Sequence, residues 1–312
     1  MVVEIIDRMN LKSKKTKRLV NKGAEKWLGK EIKALDHGFV YLVDYFGSDE
    51  AVEQAARVSY GSGTRKSRET RGLLRYLLRN DHTTPFEMAE LKFHAKMPIF
   101  VARQWVRHRT ANINEYSARY SVVKDEFYIP DSKNIATQST NNKQGRGETL
   151  DSKHSSKVKE KMEQHYINSN ILYQELLDIE GEFKVARELS RAVLPVSSYT
   201  EWYWKIDLHN LLHFLRLRLD AHAQYEIRVY AEAMAKIVKD AFPIVWEAFE
   251  DYKLNSLNIT RIEKEVVIKL LKKKKVKFTE KEIIKAAEDF GLSNKRETNE
   301  MIDKIKRFEL VK

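Results

Sequence analysis

The chain has 312 residues, no cysteine and a formal net charge of +12. The missing cysteines exclude disulfides, cysteine-based zinc sites and thiolate nucleophiles. No apolar run approaches roughly 18 residues, so no transmembrane helix is predicted, and the charge suits anionic partners, either nucleic acid or small polyanions.

Residues 1–35 carry ten Lys or Arg against four Asp or Glu and read as a basic lead-in, partly disordered or loosely helical. The opening Met-Val-Val-Glu-Ile-Ile-Asp lacks the charged-then-apolar layout of a signal peptide, and a cytoplasmic location is expected. Gly38 to Tyr45 is rich in β-branched and aromatic residues and predicts a strand. A helix is expected from Glu50 to about Ser59, where Gly61 and Gly63 then break the chain. Thr70 to Asn80 places Leu73, Leu74, Leu77 and Leu78 at helical spacing. His82-Thr83-Thr84-Pro85-Phe86-Glu87 follows as a loop in which Pro85 favours an extended residue before it.

Leu91 to Met97 alternates apolar and polar residues, the pattern of a half-buried strand, and Pro98 suits the first turn of a following helix. That helix would place Gln104 one turn before Arg107 and His108, with an irregular loop from about Thr110. Residues 124–150, with Pro130, Gly145 and Gly147, read as a mobile loop. Helices are expected from Ser155 to Leu177 and from Phe183 to Leu194, then an aromatic strand from Ser197 to Trp204. One long helix is expected from Asp207 to Glu226, which would put Arg218 and His222 on one face. At roughly 100° per residue, Arg216 would point about 200° away from Arg218. His209 and His213 are also four apart, but Asn210 stands where a metalloprotease helix needs Glu, so no metal is expected. Helix continues over 229–250 with an interruption at Pro243.

Residues 255–312 hold sixteen Lys or Arg and ten Asp or Glu, and Thr279-Glu-Lys-Glu282 resembles a capping box. This segment reads as a basic helical appendage. Neither a phosphate-binding loop nor a GxGxxG fingerprint occurs anywhere.

The chemistry concentrates in Gln104-Trp-Val-Arg107-His108-Arg109 and, after seven intervening residues, in Ser117-Ala118-Arg119. Guanidinium forks and hydroxyl donors are what phosphates need. Arg-His-Arg, seven residues, then Ser resembles the signature of flavin-dependent thymidylate synthases, and His82 to Glu87 resembles that family's second motif. The likeness spans roughly residues 36–252, which defines an expected catalytic domain over 36–254 between the lead-in and the appendage.

The resemblance implies an α+β fold: a largely antiparallel sheet packed with long helices, assembled as a homotetramer with shared active sites. It implies reductive methylation of dUMP to dTMP, with 5,10-methylenetetrahydrofolate as carbon donor and NADPH as electron donor through FAD. It places Ser59, His82, Thr84, Glu87, Arg107, His108, Arg109, Glu115, Asp207, His209 and His213 at the flavin. Gln104, Arg107, Glu115, Ser117, Ala118, Arg119, Arg191 and Arg218 would hold dUMP, with Arg218 activating the pyrimidine. Asp207, His209 and His213 depart from the family's usual Asn, Arg and Asn. The alternative route to C5 methylation begins with a cysteine adding to C6, which this chain cannot supply. Ser117 has no legible Ser-His-Asp arrangement and reads as a hydrogen-bonding residue. The rival reading, from charge alone, is a basic nucleic-acid-binding protein without catalysis.

Overall fold

A computed structural model of the chain describes residues 19–58, 70–140 and 143–311. Two compact units result: 19–58 with 83–246, and 70–82 with 247–311.

The first unit is built on five antiparallel strands in the order β1–β2–β3–β7–β4: β1 (Ile32–Ala34), β2 (Gly38–Phe46), β3 (Glu90–Pro98), β7 (Tyr199–Asp207) and β4 (Asn112–Glu115). The fold is α+β with an antiparallel sheet, as expected. Leu91, Phe93, Ala95 and Met97 are wholly buried, as their alternation predicts. The other face of β3 departs from a half-buried strand, because His94 and Lys96 are buried as well. His94 lies with Nδ1 2.7 Å from the Tyr41 hydroxyl and Nε2 3.2 Å from the Glu201 carboxylate. A neutral ring that donates from Nε2 can accept from Tyr41 at Nδ1. The hydrogen bond from His94 and the charge of Lys124 outweigh burial and hold the Glu201 carboxyl down to about 2.

Several elements differ from expectation for local reasons. Asn112–Glu115 is a strand, not loop, because β7 offers it an open edge. The loop over 124–150 carries a hairpin of β5 (Ala136–Gln138) and β6 (Arg146–Thr149), tied down where Arg146 pairs with buried Glu226. The expected Phe183 to Leu194 helix shrinks to one turn, Arg187–Ser190, and a 3-10 turn, Arg191–Val193. Lys184 there has φ +50°, which no helix tolerates. The long helix after β7 stops at Arg218 and a second begins at Tyr225. Asp220 is the reason: its carboxylate accepts the His222 backbone N–H at 2.7 Å, a local turn that competes with helix.

The core of this unit is aromatic. The ring of Trp105, at the end of the Ile99–Trp105 helix, stacks on Phe214 at 5.3 Å and meets Trp204 edge-on at 5.2 Å. The indole N–H groups of Trp105, Trp202 and Trp204 are buried with no partner among the described residues. Each such group costs about 1–3 kcal/mol. Burying a ring of this size gains about 4–6 kcal/mol, so packing prevails.

The second unit contains the helices Thr70–Arg79, Arg261–Lys273, Glu280–Asp289 and Lys295–Lys306. The capping box at Thr279 and Glu282 is present, with another at Thr260 and Glu263. A buried ion network joins its segments. Arg75 is 5 % exposed and pairs with Glu297 at 2.9 Å, Glu247 at 2.6 Å and Asp251 at 2.7 Å. Burial opposes the Arg75 charge, but the carboxylates of Glu297 and Asp251 outweigh it and raise the guanidinium above its usual range. Burial also opposes the Glu297 charge, and the bonds from Arg75 and Tyr252 overcome it, holding that carboxyl below its usual range.

Removing one partner of a buried pair leaves the other charge poorly compensated, at about 3–5 kcal/mol. Glu247 and Asp251 remain beside Arg75, so Glu297→Ala is expected to lie near the lower end, about 3 kcal/mol. The stabilisation should be present above the ordinary Glu range and vanish as pH falls through the lowered Glu297 pKa. Calorimetric unfolding across pH checks both points; a variant melting like the parent would show that the network contributes nothing.

Candidate active site

The Trp105 ring fixes where the functional turn begins. The helix ends at Trp105, and the His108 N–H donates back to the Trp105 carbonyl at 3.0 Å. Arg107 and His108 therefore do not continue the helical face of Gln104, contrary to expectation. Gln104 stays half-buried, and its side-chain oxygen is buried without a partner among the described residues.

Arg107, His108, Arg109 and Thr110 line a cavity of about 370 Å³ with Asn210, His213 and Arg218 from the Leu208–Arg218 helix. Phe214 sits under the His108 ring at 4.9 Å, so one aromatic patch supports both elements. The Arg218 Nε donates to His108 Nε2 at 3.0 Å. This requires an imidazole that accepts at Nε2, hence a neutral ring. Burial first, then the positive charge of Arg218 and the neighbouring His213, push His108 down to about 4. Arg107 and Arg109 make no ion pair among the described residues, so two cations face the cavity without protein counter-charges.

Arg216 does not line the cavity, in keeping with its expected divergence from Arg218. His222 is not on a face with Arg218. It lies beyond the helix end, exposed, with its ring 2.9 Å from Asp220. Asp207 caps the helix: its two oxygens accept the Asn210 backbone N–H at 2.9 Å and the Asn210 amide at 2.8 Å. His209 does not line the cavity, whereas His213 does. Burial, then Arg216 and His209, lower the His213 pKa. No group of three His, Cys, Asp or Glu among the described residues could hold a metal ion.

A second cationic group forms around Ser117. Glu115 ends β4 and accepts the Thr200 hydroxyl at 2.7 Å, and the Tyr116 N–H donates to the Glu201 carbonyl at 2.8 Å. The next turn holds Ser117, Ala118 and Arg119, with the Arg119 N–H 3.3 Å from the Ser117 hydroxyl. Arg119 pairs with the Glu188 carboxylate at 3.1 Å, and the Arg191 Nε donates to the Glu188 carbonyl at 3.2 Å. Glu188 thus gathers two expected phosphate ligands. Arg187, which the sequence reading passed over, donates to the Tyr120 carbonyl at 3.0 Å. Its only signal was a place one helical turn before Arg191. No hydrogen bond or ion pair among the described residues joins this group to the cavity at His108.

The third expected segment is divided. Thr84 and Glu87 lie in a one-turn helix, Thr84–Glu87, of the first unit, while His82 belongs to the second unit. Ser59 falls outside the described residues.

An antiparallel sheet with two arginine-bearing turns is a scaffold for holding anions. The family of thymidylate synthase complementing proteins, Thy1, matches residues 41–244. The flavin-dependent thymidylate synthase of Ehrlichia ruminantium is 53% identical over 293 residues, covering 94% of each chain. That of Ruegeria pomeroyi is 53% identical over 255 residues, 82% of this chain and 84% of its own. The UMP/dUMP methylase PolB of Streptomyces cacaoi superposes with a TM-score of 0.64 at 36% identity, covering 72% of this chain and all of that one. The chain belongs to the Thy1 family.

A histidine whose folded pKa is lowered resists a proton that the unfolded chain takes up. His108 therefore subtracts stability as pH falls from 6.5 to about 4 and costs none above that window. His108→Gln, which keeps an acceptor but cannot titrate, should flatten the loss over this range in urea unfolding. An unaltered pH profile would show that His108 is not held neutral.

Proposed function

We propose that this chain methylates dUMP at C5 to give dTMP, with 5,10-methylenetetrahydrofolate as carbon source and NADPH as electron source through bound FAD. The observation that carries the reading is the Arg218–His108 pair, at 3.0 Å, in a cavity with two cations that have no counter-charge among the described residues. It stands on a family member with no cysteine. Relatives named flavin-dependent thymidylate synthase, at 53% identity over 94% of the chain, support it.

The residues present suit a flavin dinucleotide. A diphosphate needs cationic donors, which Arg107 and Arg109 offer at the cavity. His108, His213, Thr84, Glu87, Glu115, Asp207 and His209 complete the proposed flavin set, to which the family resemblance adds Ser59 and His82. Asp207 has both oxygens on Asn210, so it is the member least free to turn toward a cofactor. When bound, the reduced flavin supplies the hydride that converts the transferred methylene into a methyl group.

The chain's own work is binding and electrostatics. Ser117, Ala118, Arg119 and Arg191 hold the dUMP phosphate and sugar, with Gln104, Arg107 and Glu115 nearby in the assembled site. The Nε of Arg218 is occupied by His108, which leaves its two terminal amino groups for the uracil edge. There they stabilise negative charge on a carbonyl oxygen or on N3, which makes C5 nucleophilic without a covalent adduct. Neutral His108 accepts without adding a competing positive charge. The reading carries with it the homotetramer that the family resemblance implies, with sites drawn from more than one subunit.

The decisive experiment is an anaerobic assay for dTMP from dUMP, methylenetetrahydrofolate and NADPH, with and without FAD. Flavin-dependent product is expected; a folded protein that neither takes up FAD nor forms dTMP would overturn the reading. Arg218→Ala should keep the fold and FAD yet lose most dTMP formation, and Arg218→Lys should recover little, because a point charge cannot replace the fork. Ser117→Ala should weaken dUMP binding by about 1.5–3 kcal/mol while turnover persists at saturation. Abolished turnover with unchanged dUMP binding would make Ser117 something other than a binding residue.

A further inference from the structure

The second unit surrounds the turn that presents His82. The Thr70–Arg79 helix ends in a Schellman cap: the His82 N–H donates to the Leu77 carbonyl at 2.9 Å and the Asp81 N–H to the Leu78 carbonyl at 3.4 Å. The residue in the left-handed position is Asp81, at φ +57°, where glycine is usual. A non-glycine there needs support from its surroundings. Lys253 supplies it, with its ammonium on the Asp81 carboxylate.

The ring that His82 rests against is held from the same side of the sequence. Tyr76 and His82 have ring centroids 5.7 Å apart. The Arg296 guanidinium lies 4.0 Å from the centroid of Tyr76, and Glu300 fixes Arg296 with a 3.1 Å bond. Glu300 also takes Arg79, at 2.8 Å. One helical turn earlier, buried Arg75 is bound to Glu297. Residues from 247 onward therefore grip the Thr70–Arg79 helix at positions 75, 76 and 79 and its cap at 81.

We propose that the C-terminal segment from Glu247 onward is a positioning element for His82, with Arg296 and Lys253 as the positioning residues. The inference rests on the reading of His82 as a flavin contact. It assigns the appendage a part in cofactor affinity, where charge alone made it a solvated basic tail. Arg296 acts through Tyr76, and Lys253 acts through the Asp81 carboxylate at the cap.

The test uses the full chain and FAD itself. Arg296→Ala and Lys253→Ala should each weaken FAD affinity about threefold to tenfold, as expected for loss of a cation–π contact or a cap-supporting pair. dUMP affinity should stay at the parental value, and the melting temperature should fall by no more than about 2–4 °C. Amide exchange over 70–82 should quicken, and Arg296→Lys, which keeps a cation over Tyr76, should restore most of the FAD affinity. If the parent binds FAD and both variants bind it equally well, the positioning role is wrong. If FAD and dUMP affinities fall together with the melting temperature, the contacts are merely structural and the inference is overturned. A parent chain that takes up no FAD defeats the flavin reading itself, and this inference with it.

Discussion

The stacking of Trp105 on Phe214 is the contact on which the candidate site depends. Trp105 is the last residue of one helix, and Phe214 lies one turn before Arg218 on another. Their 5.3 Å separation sets the distance between the two chain segments that bear His108 and Arg218. Three buried indole N–H groups without a partner among the described residues show how strongly packing governs this region. A softer cluster would leave the His108–Arg218 bond to hold itself, and a single neutral–cation hydrogen bond is too weak for that. The rigid aromatic layer beneath is what lets a guanidinium be aimed.

Much of this was legible in the sequence because it depends on near neighbours. Alternation located β3, Pro98 located the helix start, and the run from Arg107 to Arg119 marked arginines that belong to both cationic groups. What sequence missed was decided by competition or by distant partners. The helix after β7 was drawn too long because Asp220 turns the backbone to its own side chain, which carried His222 away from Arg218. Asn112 to Glu115 looked irregular because its polar residues favour loops, and only the edge of β7 makes it a strand. Asp207 appeared as a candidate ligand, and its role as a helix cap was visible only with Asn210 in place.

The second unit teaches a related lesson about charge. The basic residues of 255–312 suggested a solvated surface, with nucleic acid as the lesser alternative. In the structure the arginines of the Thr70–Arg79 helix are matched by Glu247, Asp251, Glu297 and Glu300. Those pairs span some 170 to 220 residues of sequence, beyond any local pattern. Counting charge along a chain registers excess; it does not register neutralisation across the fold.

In the proposed site, the carboxylate of Glu188 sits on Arg119 where the substrate's phosphate would bind. Both side chains are more than half exposed, so the pair is worth about 0–1 kcal/mol and yields readily. An incoming group gains only by outbidding one negative charge. A phosphomonoester dianion does so, and an uncharged nucleoside cannot. On the proposed reading, the free chain thereby carries a threshold that would select for ligand charge before any base is recognised.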